Sequence, residues 1–103
     1  MENITLENII ATREFQVEGR EGGIKVLLGR PQEWGNGRDY YCPYQIVGTG
    51  KEEVKKAFGV DAIQSLQLVM KMIGAEVYTL PEAKKGILKW DGGEEGDFGF
   101  PKS

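Results

Sequence analysis

Apolar residues recur at three- and four-residue steps across Ile63, Leu66, Met70, Ile73, Val77 and Leu80. That spacing puts them on one face of an α-helix and predicts a continuous helix over about residues 61–80. Gly74 lies inside the run. It costs up to about 1 kcal/mol against alanine, which need not end a helix whose period survives it. The competing reading stops the helix at Gly74 and makes residues 75–80 a strand. Leu68, Val69 and Met72 widen the apolar stripe, so the helix is expected to be well buried. Pro81 ends it, because the residue before a proline avoids helical angles. Asp61 is placed to cap its start, with Gln64 as the reciprocal partner.

The upstream sequence supplies strands for that helix to cover. Residues 9–17 alternate, with Ile9, Ala11, Phe15 and Val17 on one side and Thr12, Glu14 and Gln16 on the other. This is a half-buried strand whose apolar face only Arg13 breaks. Glycines make residues 18–23 a turn, and Ile24, Val26 and Leu28 point inward from a second strand over 24–28. Residues 29–38 read as a long polar loop holding Pro31, Trp34 and the Asn36-Gly37 turn signal. A third strand spans 38–47. Pro43 lacks a ladder donor, which calls for an edge position or a bulge.

Thr49 and Glu52 match a capping box. They predict a short helix over 51–58, with Val54, Ala57 and Phe58 on one side and Gly59 as its stop. Residues 87–90 form the last strand. The order β-β-β-α-α-β predicts an α+β fold, an antiparallel sheet with one long helix packed across one face. A chain of 103 residues is expected to be one domain, 1–103. Residues 1–8 carry no strong period and read as a loose N-terminal arm or an added first strand.

Residues 91–103 read as an ordered, acidic, glycine-rich tail. They hold Asp91, Glu94, Glu95 and Asp97 against Lys102, which is the whole net charge of −3. Trp90, Phe98 and Phe100 flank those acids, whereas disordered tails are poor in aromatics. Phe98 or Phe100 is therefore expected to be buried together with Trp90. The acidic field can steer a basic partner, or it can be a solvated end that aids solubility.

Several function classes fall away on composition. Histidine is absent, which removes His-based triads, Cys-His pairs and the usual zinc sites. The single cysteine, Cys42, rules out an internal disulfide and suits a reducing cytoplasm. Neither a signal peptide nor a membrane span is expected. An acidic balance argues against nucleic acid as a partner. No cofactor, metal site or catalytic residue is expected.

The local motifs have plain readings. Gly48-Thr-Gly-Lys51 lacks both the first glycine and the Ser/Thr of a phosphate loop. The acids of residues 91–97 do not follow EF-hand spacing. Cys42 has no base to activate it and reads as a buried core thiol. Tyr40, Tyr41 and Tyr44 could stack bases but fit packing better. Trp34 is either an anchor tucked onto the core or a contact residue for a partner.

Three stretches carry a resemblance. They are Cys42-Pro43 with Ile46 and Gly48, the run Gly59-Val-Asp-Ala-Ile-Gln-Ser-Leu-Gln-Leu68, and Trp90-Asp-Gly-Gly-Glu-Glu-Gly-Asp-Phe-Gly-Phe-Pro101. Together, over about residues 10–101, the chain resembles a family of small bacterial single-domain proteins of unknown function. The resemblance implies that the helix runs on past Gly74. It implies no activity, cofactor or catalytic residue.

The expected function is binding by a cytoplasmic protein that is not an enzyme. The partner is expected to be another protein, a basic one, met through Trp34, Trp90, Asp91, Glu94, Glu95 and Asp97. One alternative is a small enzyme or ligand binder that uses the tail carboxylates with Arg13, Arg38 or a tyrosine hydroxyl. A second is single-stranded nucleic-acid binding through Tyr40, Tyr41 and Trp34.

Overall fold

Residues 8–102 are described by the computed structural model, so most of the proposed arm over 1–8 lies outside the described residues. Strand β1 (Ile9–Val17) turns through residues 18–23 into β2 (Ile24–Gly29). Their antiparallel register sets Phe15 opposite Ile24 and Arg13 opposite Val26. Directly opposed residues share a face, so the sequence alternation becomes one covered and one open side. β3 (Gln32–Trp34) and β4 (Asp39–Val47) form a hairpin across the turn at Asn36 and Gly37.

β4 then runs on to pair with β2, so β2 and β3 lie end to end along one side of it. Pro43 faces the break between them, where its missing N–H costs no ladder bond. β5 (Val54–Gly59) pairs with the other side of β4. α1 (Ala62–Tyr78), α2 (Pro81–Lys84) and β6 (Leu88–Lys89) follow. β6 closes on Gln16 and Val17 of β1. Every pairing among the described residues is antiparallel. The α+β class, with one long helix against an antiparallel sheet, is as the sequence predicts.

Two local expectations are corrected. Residues 51–58 do not form a helix; Val54–Gly59 is strand β5. The capping-box side chains do bond, but they close a hairpin loop instead. Glu52 Oε2 accepts from the Gly48 N–H at 2.9 Å, and Thr49 Oγ1 accepts from the Lys51 N–H at 3.2 Å. Gly48 and Gly50 sit at φ 97° and 87°, a conformation that turns the chain back and that side chains disfavour. Trp34 stands on the short strand β3 and not in a loop. The turn was legible, but three residues are too few for a period.

The long helix runs through Gly74 as a single element. Asp61 accepts from the Gln64 N–H at 2.8 Å, and Gln64 Oε1 reaches back to the Val60 N–H at 2.8 Å. The buried stripe is Ser65, Val69, Ile73 and Val77, with Gly74 beside it. Ile63, expected on that stripe, is exposed, as are Leu68 and Met72 in part. α1 lies over β4 and β5.

A helix is about 10 Å across, whereas five strand lanes span about 19 Å. One helix therefore leaves the β1 side of the sheet uncovered. The chain end completes the cover. Phe98 and Phe100 are 3 % and 8 % exposed. Their rings stand 5.7 and 6.5 Å from that of Phe15. Gly74 lets the chain end cross α1 closely, since a Cβ there would run into the carbonyl oxygen of Pro101.

Candidate functional site

The side of the sheet away from α1 carries an aromatic cluster where β3, β4 and β5 meet. Trp34 lies opposite Asp39, and Tyr41 lies opposite both Gln32 and Phe58. Residues two apart on a strand share a face. Trp34, Asp39, Tyr41, Lys56 and Phe58 therefore project together, while Cys42, Tyr44 and Ala57 are buried on the other side. The Trp34 ring meets Phe58 at 5.5 Å and Tyr41 at 5.7 Å, both edge to face. Lys56 Nζ stands 4.7, 5.0 and 5.5 Å from the ring centroids of Trp34, Tyr41 and Phe58. Trp34 and Phe58 remain 48 % and 45 % exposed.

Sequence reasoning singled out Trp34 but missed Phe58 and Lys56. The helix reading of 51–58 placed Phe58 in a helical core face. The signal was present in the period-two alternation of Val54, Lys56 and Phe58 against Lys55, Ala57 and Gly59.

Trp90 has a structural use. Its ring packs on the core, and the Arg13 guanidinium stacks over it at 4.1 Å. The same guanidinium lies 4.9 Å from the Phe100 ring, and Nη1 donates to the Phe98 carbonyl at 3.2 Å. The residue that breaks the apolar face of β1 is thus the one that ties the chain end to the sheet. Asp97 is used locally: it accepts from the Gly99 N–H at 2.9 Å and from the Tyr78 hydroxyl at 3.5 Å. That hydroxyl in turn accepts from the Phe98 N–H at 3.1 Å. Glu95 pairs with Lys89 at 3.6 Å, and Asp91 and Glu94 are exposed. Among the described residues no three acidic or cysteine side chains gather as metal ligands would.

The structure does not bring Trp34 and the acidic turn together. Trp34 projects from the open face on β3. Arg13 and Trp90 meet on the covered face beside β1 and β6, across the sheet. Tyr40 is likewise split from its neighbour. It projects opposite to Tyr41 and donates to Glu33 Oε1 at 3.3 Å. The aromatics of a single-strand platform are therefore divided between two faces. Arg38 is exposed in the β3–β4 turn.

A separate open cleft of about 630 Å³ lies between α1, the start of α2 and the β4–β5 loop. Its polar centre is Tyr44, whose hydroxyl donates to Glu76 Oε1 at 2.8 Å, with Lys55 3.2 Å from Glu76 Oε2. Burial and then the Glu76 carboxylate push the Tyr44 hydroxyl well above its usual range, so it stays protonated. Cys42 is buried, donates to the Gly29 carbonyl at 3.4 Å, and burial lifts its thiol to about 11. It is a core thiol and not a nucleophile. No helix among the described residues is long and apolar enough to cross a membrane.

An antiparallel sheet with one long helix across one face and a helix-free opposite face places the chain among small α+β domains. Residues 11–102 match the model of a domain of unknown function, DUF6968, and the chain belongs to that family. No curated protein and no solved structure matches it.

Proposed function

We propose that this protein acts by binding, and that its partner is another protein docking on the helix-free face of the sheet around Trp34. The observation that carries this reading is the pairing of Trp34 and Phe58, both nearly half exposed, in one cluster. Aromatic anchors of this kind concentrate interface energy once water is excluded, and truncating one typically costs about 2 kcal/mol or more. The acidic turn acts separately, from the other side of the sheet. Asp91, Glu94 and Glu95 supply a field that speeds encounter with a basic partner and weakens with salt.

The test uses the whole chain as bait, with the Trp34→Ala variant and a Glu94→Gln, Glu95→Gln double variant beside it. Trp34→Ala should weaken capture of the parent's partner by about thirtyfold. The double variant should slow association at low salt and leave dissociation unchanged. A folded Trp34→Ala variant that binds the same partner as tightly as the parent would refute the reading.

The cleft favours a second reading, a small-ligand binder. Tyr44, Glu76 and Lys55 there form a connected polar centre beside the apolar wall of Met72, Ala75 and Leu80. A thermal-shift screen of small organic acids and amines tests it, with Tyr44→Phe as the control. A hit that raises the melting temperature of both chains equally would not be using this centre.

A further inference from the structure

We propose that Trp34, Tyr41 and Phe58 form a cage for a trimethylammonium group, a cage that the ammonium of Lys56 fills in this structure. The three rings come from three strands. They are inclined at 89° for Trp34 and Tyr41, 78° for Trp34 and Phe58, and 47° for Tyr41 and Phe58. None of the three pairs is a parallel stack, and Lys56 Nζ lies over all three rings. Lys56 Nζ lies within about 6 Å of each centroid, the range over which a ring quadrupole attracts a cation.

The neighbouring lysine shows what holds Lys56 there. Lys55 is paired with Glu53 and Glu76, whereas Lys56 makes no ion pair among the described residues. Its ammonium is held by ring faces. Asp39, directly opposite Trp34 in register, projects from the same face and gives the cage rim a carboxylate. Trp34 and Phe58 are both nearly half exposed, so solvent reaches these two rings.

The tether of Lys56 decides which ligand can compete. An untethered primary ammonium gains nothing over a lysine already delivered to the site by its own strand. A trimethylammonium group is more weakly hydrated, so it gives up less on leaving water and presents more surface to the rings. The long, flexible lysine stem lets the resident ammonium swing out to solvent. The group can come from a small solute such as choline or from a trimethylated lysine side chain. The proposal does not depend on protein docking, since a partner can cover Trp34 without any cation entering the cage.

The experiment titrates isotope-labelled protein with tetramethylammonium chloride, against sodium chloride at matched ionic strength. The readout is the indole N–H resonance of Trp34, assigned with Trp34→Phe. It should move saturably while that of Trp90 stays still. Lys56→Gln removes the resident competitor and should tighten binding by about threefold to tenfold. Phe58→Leu, checked for an unchanged melting temperature, should weaken binding by about fivefold. Choline and a peptide bearing one trimethyllysine are then compared, and the tighter of the two identifies the source. Failure of both to move Trp34, or a Lys56→Gln variant that binds no more tightly than the parent, would overturn the proposal.

Discussion

At Gly74, helix propensity and packing pull in opposite directions. Alanine there would gain about 1 kcal/mol of propensity. Its Cβ would strike the Pro101 carbonyl oxygen and stand 3.3 Å from the Phe100 Cβ. Overpacking of this kind costs about 1–3 kcal/mol. Gly74→Ala should therefore lower the urea midpoint of the full chain. In a chain ended at Phe100 the same change should shift toward stabilising. A Gly74→Ala variant that is more stable in the full chain would mean that the crossing is not tight.

Cys42 makes a second prediction at this scale. Burial raises its thiol from 9.0 to about 11, so the folded state holds the proton more tightly than the unfolded chain. The stability this contributes is present below the unfolded value and is lost as pH rises through the folded one. Between about pH 8 and about pH 11 the parent should lose more stability than Cys42→Ala. Equal losses in paired urea titrations would show that the thiol is not shielded.

Elements differed in how far the sequence betrayed them. The long helix was legible through Gly74 because seventeen residues hold enough period to outvote one glycine. Its rotation was less legible: Ile63 fits the spacing but lies off the stripe of Ser65, Val69, Ile73 and Val77 that faces the sheet. β5 was misread because Thr49 and Glu52 can accept from the N–H groups of a hairpin loop, here Lys51 and Gly48, as readily as they cap a helix start. Only the two positive-φ glycines decide between them. The Trp34 cluster was half legible for a related reason. Trp34 is conspicuous on its own, but its neighbours arrive from β4 and β5, and Phe58 can be placed only once β5 is known to be a strand.

The chain end carries the prediction that belongs to elements. Phe98 and Phe100 cover the part of the sheet that α1 is too narrow to reach. Burying each contributes about 1.5–3 kcal/mol, a large share of the 5–15 kcal/mol typical of a domain. A chain ended at Asp91 should melt at least about 10 °C lower than the full chain. An unchanged melting temperature would show that the two rings cover nothing the core needs.

The molecule as a whole is a sheet with two unlike sides. One is covered by α1 and the chain end, tied down by Arg13. The other is helix-free and mixed: Thr12, Glu14, Gln16 and Gln45 share it with Leu27, Pro43, Val47 and Val54. Its corner at Trp34, Tyr41 and Phe58 is the aromatic one, and the docking surface we propose lies there. Photo-crosslinking residues placed one at a time in the full chain test that claim most directly. Positions 39 and 45 lie on the open face, positions 67 and 71 on the exposed side of α1, and position 94 in the acidic turn. In cells, adducts to a common protein should form from 39 and 45 and not from 67 or 71. Adducts from the helix positions alone, with none from the open face, would contradict the account.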